Sequence, residues 1–338
     1  MKRLLYSAAI FCLAMLGLSA CKGTGGSADR HGSADTIALA ACPTFSADSA
    51  MKYIQGQCNF GPRVTGTPQS RACAEYIAAL FRLYGAKVET QQCAVRIWDG
   101  TQLEATNIIA SINPDNTDRI LLCAHWDSRP WADNDPDAAN HHKPILGAND
   151  GASGVAVMIE LCRLLSMQGV DTGIDFVCFD AEDLGTPQWA EGMDDTSQTW
   201  CLGSYHWAAK ACETGYKARF GILLDMVGGF GSVFHREVVS MNYAEPVVNL
   251  VWRLGRQLGY SHYFPLSDGG MLIDDHVNVN RIARIPCIDI VPHFNEGPSS
   301  FGPTWHTIGD TPENIDPNVL EAVGQTLTQL IYNDNEKI

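Results

Sequence analysis

Apolar residues along this chain alternate between two kinds of spacing. Four short, almost wholly apolar runs have the character of buried strands, at 120–124, 174–179, 220–226 and 285–291. Four longer stretches carry apolar residues at helical spacing and predict helices, at 153–165, 203–212, 244–258 and 317–332. This alternation predicts an α/β fold with a mostly parallel central sheet and helices on both faces.

A different pattern precedes that alternating region. Thr67-Pro68 combines a capping residue with a proline at the first helical position, and the helical spacing that follows ends at Gly85. Two strand-like segments come next, at 87–98 and 103–112, and Asp99-Gly100 between them is a strong hairpin signal. We therefore expect one helix and an antiparallel hairpin before the parallel strands.

The first residues have the pattern of an export signal. Lys2 and Arg3 precede an apolar run over 4–18, which is too short for a good membrane span. The run ends Leu18-Ser19-Ala20-Cys21, which resembles the bacterial lipobox. We predict a signal peptide over 1–20 and a lipidated Cys21, so that the exported protein is anchored to a membrane on its periplasmic or cell-surface side.

The segment after the signal is poor in apolar residues. Residues 22–34 are rich in Gly, Ser, Asp and Thr and cannot bury a core, which predicts a flexible tether over 21–41. Neither a second linker nor a repeat follows it. We therefore predict a single catalytic α/β domain over 42–338, within the size that one domain reaches.

Charge and cysteine content narrow the class of protein. The net charge of −15 disfavours nucleic acid as a partner, because phosphate binding needs a basic surface. The cysteines after Cys21 are scattered, lie mostly in apolar runs and form no CxxC pair. We expect most of them to be buried free thiols and not ligands of a structural zinc site.

Polar clusters follow the predicted strands one after another. In parallel sheets such residues converge at one edge, where ligands bind. Several carboxylates at one edge repel each other unless a cation is present, and carboxylates mixed with imidazoles suit zinc. The clusters are His125-Trp126-Asp127, Asn149-Asp150-Gly151, Asp180-Ala181-Glu182-Asp183, Asp225, Asp274-Asp275-His276 and Trp305-His306.

This ordered set resembles the zinc-dependent aminopeptidase family and its glutaminyl cyclase relatives. The flanking residues are also similar: the segment 147–154 resembles the family's aspartate-centred loop, and His306-Thr307 with 310–316 resembles its last ligand segment. Gly61-Pro62-Arg63 is similar to an early family segment. The resemblance covers nearly all of the chain after the tether and implies a zinc aminopeptidase-like fold.

The aminopeptidases of the family imply one chemistry. They typically bind two zinc ions, and the matching residues here give a bridging Asp150, with His125 and Asp225 on one ion and Asp183 and His306 on the other. Glu182 would then deprotonate the water that attacks the peptide bond.

The cyclases imply another chemistry, which we favour. They bind one zinc ion, and the matching ligands are Asp150, Asp183 and His306, with His125 as a hydrogen-bonding neighbour. The substrate would be the N-terminal Gln of a peptide or protein, whose own amine attacks its side-chain amide. Glu182 would move the proton, and Asp225 and Asp274 would hydrogen-bond the reacting groups.

Two tryptophans and one acidic segment favour the cyclase. Trp305 directly precedes His306, where cyclases also have Trp, and Trp189 follows Glu182-Asp183 at about the distance of a cyclase pocket Trp. Residues 272–276 resemble a cyclase segment whose first Asp is catalytic. We predict that Trp305 and Trp189 bind substrate.

The sequence also departs from the cyclase pattern. Both groups of enzymes usually have Glu-Glu where this chain has Glu182-Asp183, and the disulfide beside the site of animal cyclases would pair Cys123 with the position of Val155. The loop 133–142, with His141 and His142, is interpreted as solvated, and a loop that covers the site or binds calcium is the alternative. A third possibility is a catalytically inactive binding protein of the same fold, but an intact Glu182 argues against it.

Overall fold

Six strands form one mixed sheet in the computed structural model, which describes residues 36–190 and 199–335. Their order across the sheet is β1-β2-β4-β3-β5-β6. Strand β2 runs antiparallel to β1 and β4, and the four strands β3 to β6 are mutually parallel. The predicted α/β fold with a mostly parallel sheet is confirmed. The strands are β1 (Lys87–Arg96), β2 (Gln102–Ile112), β3 (Arg119–His125), β4 (Gly173–Phe179), β5 (Gly221–Leu224) and β6 (Cys287–Ile290).

Helices cover both faces of this sheet. They are α1 (Ala47–Cys58), α2 (Pro68–Leu83), α3 (Ala152–Gln168), α4 (Leu202–Thr214), α5 (Val238–Gln257), α6 (Asp275–Asn278) and α7 (Pro317–Asn335). A π-helical turn, Val279–Ala283, continues α6. The predicted helix at 244–258 is the second part of α5, which bends at Ala244, two residues before Pro246. Helix α1 was not predicted.

Alternation along the strands divides the core into two layers. In β3, Leu122 and Ala124 face the large cluster that α1, α2, α3, α5 and α7 cover. Leu121 and Cys123 face a smaller cluster with α4 and the π-helical turn. The central strands are buried on both faces, which explains why their sequences read as continuous apolar runs.

The N-terminal boundary of the folded part lies earlier than the predicted residue 42. Ile37–Ile338 form one compact unit. The Ile37 N–H donates to Gln257 on α5, and the Ala40 N–H donates to Asn333 on α7. Residues 37–41 therefore belong to the domain and not to the tether, because their main chain finds partners on two helices. The predicted signal peptide and Cys21 lie outside the described residues.

The cysteines are free thiols wherever the structure describes them. Cys212 is exposed, Cys42 is half-buried, and burial raises the pKa of thiols such as Cys73, to about 12. Cys123 and Val155 face opposite layers of the core, so the position of the animal disulfide is not reproduced. Within the described part of the chain, every helix is too short or too polar to cross a membrane.

Candidate active site

The carboxyl ends of the parallel strands deliver acidic and imidazole side chains to one edge of the sheet. His125 is the last residue of β3, Asp180 follows β4 directly, and Asp225 follows β5. Asp150 lies in the loop that leads into α3, and His306 lies in the long loop after β6. All of these side chains are buried. The sheet topology thus brings together residues that are far apart in the sequence.

Asp150, Asp183 and His306 converge on one point. One ligand atom from each of the three lies within 4.8 Å of the others. His306 Nε2 is 3.1 Å from Asp183 Oδ1 and 3.8 Å from Asp150 Oδ2. The second oxygen of Asp183 and Oδ2 of Asp150 are buried without a hydrogen-bond partner. Buried carboxylate oxygens without partners are costly, so this geometry fits a bound cation.

Burial sets the protonation of this cluster. It raises the pKa of Asp183 to about 8, even though the guanidinium of Arg129 opposes the shift. Burial, together with the positive charge of Arg129, lowers the pKa of His306 well below its usual value. A neutral imidazole is the form that binds metals, and a divalent cation replaces the protons that buried carboxyls would otherwise hold.

His125 forms a second group with Asp150 and Asp225. Its Nε2 lies 3.0 Å from Asp150 Oδ1 and 3.1 Å from Asp225 Oδ1, and its Nδ1 lies 3.4 Å from Asp127. Burial lowers the pKa of His125, but the hydrogen bonds with Asp127, Asp150 and Asp225 outweigh it and raise this pKa well above its usual value. The ring therefore bridges three carboxylates that would otherwise repel each other.

Glu182 and Asp274 lie beside the converging ligands. Burial raises the pKa of Glu182 well above its usual value, and burial together with Asp225 raises that of Asp274 to about 6. The Cys201 thiol donates a hydrogen bond to Glu182 Oε1, at 3.3 Å. Carboxyls with raised pKa values in a cleft are the usual candidates for general acid–base catalysis.

Unusual backbone conformations concentrate at this site. Six non-glycine residues in the described part of the chain have positive φ. Four of them lie at the site: Ala181, Cys201, Met226 and His306. Ala181 precedes Glu182, Met226 follows Asp225, and Cys201 donates a hydrogen bond to Glu182. Such residues cost free energy unless the surrounding structure fixes them, and they are typical of functional sites.

Arg129 holds the Asp183 side chain in place from behind. Its side chain is 1% exposed and makes two hydrogen bonds to Asp133, of 2.7 and 2.6 Å, and one of 3.3 Å to Asp183 Oδ1. Asp133 Oδ1 in turn lies 3.6 Å from His306 Nδ1. The buried guanidinium of Arg129 therefore orients two of the three converging side chains: Asp183 directly, and His306 through Asp133.

Replacing Arg129 by methionine tests this arrangement. The change leaves Asp133 and Asp183 buried without their counter-charge, so we expect the free energy of unfolding to fall by about 3–5 kcal/mol. The measurement is urea unfolding followed by tryptophan fluorescence. Lys210→Met is the control, because its ion pair with Glu213 is exposed and should contribute less than about 1 kcal/mol. Equal losses in the two variants would contradict the role of Arg129.

Asp310 fixes the loop that carries Asp150. Its two carboxylate oxygens accept hydrogen bonds from the N–H groups of Asn149 and Asp150, at 2.7 and 3.0 Å. Asp135 accepts a hydrogen bond from the N–H of Ile308 and so holds the loop that carries His306. Asp133, Asp135 and Asn140 are buried, so the interpretation of residues 133–142 as a solvated loop is wrong at these three positions.

A pocket of about 330 Å³ opens over the converging ligands. Glu182, Asp225 and Asp274 lie on its polar side. Its other side is apolar and consists of Trp200, Met226, Leu272, Ile273, Phe301 and Trp305.

Tryptophans frame the end of this pocket at which His306 lies. Trp305 stacks on the ring of His306 at a centroid distance of 3.7 Å, and Trp200 lies parallel to the same ring at 6.0 Å. Trp189 is not part of the pocket lining: it is 43% exposed and packs against Trp131 and His142. Sequence reasoning assigned no role to Trp200 or Arg129 and placed Asp310 only within a family-like segment, because the roles of these residues depend on tertiary contacts.

Comparisons with known proteins agree with this architecture. Residues 107–331 match the model of peptidase family M28. Crystal structures of glutaminyl cyclases from Bacteroides thetaiotaomicron and Tannerella forsythia are 49% and 48% identical to this chain, each with a TM-score of 0.84. They cover 87% and 86% of this chain, which in turn covers 99% of each of them. A Bacteroides thetaiotaomicron structure described as a leucine aminopeptidase precursor is similar to the same degree, with 49% identity, a TM-score of 0.83 and the same coverage of 87% and 99%.

More distant relatives are longer than the matched region. Aminopeptidase YwaD of Bacillus subtilis is 27% identical over 258 residues, which are 73% of this chain and 48% of that protein. The chain thus spans about half the length of this relative.

Proposed function

The chain belongs to peptidase family M28, and we propose that it is a glutaminyl-peptide cyclotransferase, an acyltransferase that converts the N-terminal Gln of peptides or proteins to pyroglutamate and releases ammonia. The observation that carries this proposal is the pocket itself. It contains Glu182, Asp225 and Asp274 together with apolar residues that include Trp200 and Trp305, next to the converging ligands. The sequence identity of 49% and 48% to two bacterial glutaminyl cyclases supports the proposal.

Zinc is the metal that suits the three converging side chains, since two carboxylates and one imidazole are typical zinc ligands. We propose one ion, held by Asp150, Asp183 and His306. The unpartnered oxygens support this count, because Asp150 Oδ1 already pairs with His125 whereas its Oδ2 faces His306 and has no partner. When bound, zinc would polarise the γ-amide carbonyl of the substrate.

The protein side chains then carry out a proton transfer within one substrate molecule. The α-amine of the N-terminal Gln attacks its own γ-carbonyl carbon, forming the ring C–N bond. Glu182 accepts a proton from the amine and gives it to the amide nitrogen, which leaves as ammonia when the C–N bond of the amide breaks. The raised pKa of Glu182 suits a group that both accepts and returns a proton. Because the amine and the amide belong to one residue, no second reactant has to be positioned.

Asp225 and Asp274 complete the polar side of the pocket. We propose that they hydrogen-bond the amine and the amide nitrogen and so orient the attack. Asp225 is held by His125 at 3.1 Å, and Asp274 is the N-cap of α6, where its Oδ1 accepts the N–H of Asp275. The apolar wall excludes water, which would otherwise hydrolyse the amide to Glu.

An aminopeptidase with two zinc ions is the second candidate. The observation that favours it is the group His125, Asp150 and Asp225, which meets within 4.8 Å and shares Asp150 with the first group. An inactive binding protein of the same fold is less well supported, because such a protein has no use for a general base such as Glu182 beside a full set of ligands.

One assay on purified protein separates these functions. We expect a Gln-initiated peptide to release ammonia and a Leu-initiated chromogenic amide to remain intact. Release of the chromogenic amine without ammonia would replace the cyclase by the aminopeptidase. Turnover of neither substrate by zinc-loaded protein would leave the binding protein.

We further propose that the protein is exported and anchored through a lipidated Cys21, on the periplasmic or cell-surface side. The positive start, the apolar run and the small residues before Cys21 support this. Mass spectrometry of the mature N-terminus would test it: a lipid-modified Cys21 is expected, and an unmodified N-terminus upstream or downstream of it would contradict the proposal.

A further inference from the structure

A second groove, of about 580 Å³, leads away from the catalytic pocket. The two share Trp200, Ile273 and Asp274 in their walls, so they adjoin at these residues. On its far side the groove runs between the end of β1, at 94–96, and the start of α4. A peptide whose first residue occupied the catalytic pocket would find this groove directly adjoining it.

The far wall of the groove is an open edge of the sheet. Strand β1 is the first strand in the sheet order and pairs only with β2 among the described strands. The Ile97 N–H donates to Thr101 O at the hairpin end. In an antiparallel pair the hydrogen-bonding direction alternates, so the main-chain groups of Ala94 and Arg96 point to the open edge. Such an edge pairs readily with an extended peptide.

The side chains of the groove give it a chemical preference. Arg96 is exposed, forms no ion pair within 36–190 and 199–335, and is the one Lys or Arg residue in the groove lining. Tyr205 and Ile273 add exposed apolar surface, being 52% and 69% exposed.

We infer that this groove binds the residues that follow the N-terminal Gln of the substrate, in an extended conformation along β1, and that it favours an acidic side chain beside Arg96. The inference rests on the proposed cyclase function and specifies its substrate class. The preferred substrates are then Gln-initiated chains of several residues with Asp or Glu close to the N-terminus, and a dipeptide is too short to use the groove.

The test compares kcat/KM for three kinds of substrate in the zinc-loaded enzyme. They are Gln-Ala-amide and two sets of hexapeptides that start with Gln and carry either Glu or Lys, moved through the third to fifth positions. We expect the best Glu peptide to exceed its Lys counterpart by about 3- to 10-fold at low salt, mainly through KM, because the groove binds ground state and transition state alike.

The Arg96→Glu variant supplies the decisive comparison. It should abolish or reverse the preference for Glu over Lys while Gln-Ala-amide is turned over as before. Arg253→Glu is the matched control. Arg253 is exposed on α5, outside the groove, and its replacement changes the net charge by the same amount. N-methylation of the peptide amides that face β1 should weaken binding of the hexapeptides in the same enzyme.

Two outcomes distinguish the inference from the proposed function. If Gln-Ala-amide is cyclised but Arg96→Glu leaves the Glu-to-Lys ratio unchanged, the groove has no role in selectivity and the cyclase function stands. If no Gln-initiated substrate is cyclised, the proposed function fails first. An equal loss for the dipeptide amide and the hexapeptides in Arg96→Glu would also overturn the inference, because it would indicate a general structural defect.

Discussion

Replacing Glu182 by glutamine is expected to lower kcat for Gln-initiated peptides by roughly 10²- to 10⁴-fold, the usual contribution of a positioned general acid or base. Glutamine keeps the shape of the side chain but cannot accept the proton of the attacking amine. The measurement is ammonia release under saturating substrate, together with the zinc content of the variant.

The zinc content of this variant should stay at the wild-type value. Glu182 is not one of the three converging ligands, and Asp183 is held independently by Arg129. Glu104→Gln is a suitable control, because it makes the same Glu-to-Gln change at an exposed position of β2. Near-normal turnover by Glu182→Gln would refute the role of Glu182, whereas loss of zinc would mean that its carboxylate supports the metal instead.

Removing the His306 imidazole should abolish both zinc binding and turnover. In His306→Ala the only nitrogen ligand is lost, and what remains is the pair of buried Oδ2 atoms of Asp150 and Asp183, which have no hydrogen-bond partner. We expect the zinc content to fall from about one per chain to near zero, and chelation of the wild-type enzyme to give the same inactive state until zinc is returned.

His125→Asn is the comparison that decides the number of ions. If the single ion lies between Asp150, Asp183 and His306, this variant keeps about one zinc per chain, because His125 only hydrogen-bonds the neighbouring carboxylates. A wild-type content of two that falls to one in His125→Asn would contradict the single-ion proposal and favour the aminopeptidase.

Much of the fold could be read from the sequence because its strands are buried on both faces. Continuous apolar runs located β3, β4, β5 and β6, and Asp99-Gly100 located the hairpin between β1 and β2. Helix α1 was missed because its buried face includes Gln57 and Cys58, which weakens the apolar pattern. The Gln57 side chain donates a hydrogen bond to the carbonyl of Ala152, which lies 95 residues away in the sequence, and no local pattern indicates this contact.

The site divides in the same way. The residues that would bind zinc or move protons follow strands, so their positions were predicted from topology and family resemblance. The residues that hold them, such as Arg129 and Asp310, act through contacts with distant loops. Trp189 illustrates the limit for the pocket walls: its distance from Asp183 suggested a wall, but the structure places Trp200 there. A side chain's direction depends on packing that spacing alone does not specify.

The position of Asp310 has a consequence for how the protein matures. Because its carboxylate ties the backbone of Asn149 and Asp150, the loop with the first ligand reaches its final shape only when the segment after His306 has docked. The three proposed ligands come from residues 150, 183 and 306, so a chain still being synthesised cannot bring them together until almost its whole length has emerged. With the proposed zinc site, we therefore expect metal loading to follow the docking of the C-terminal segment.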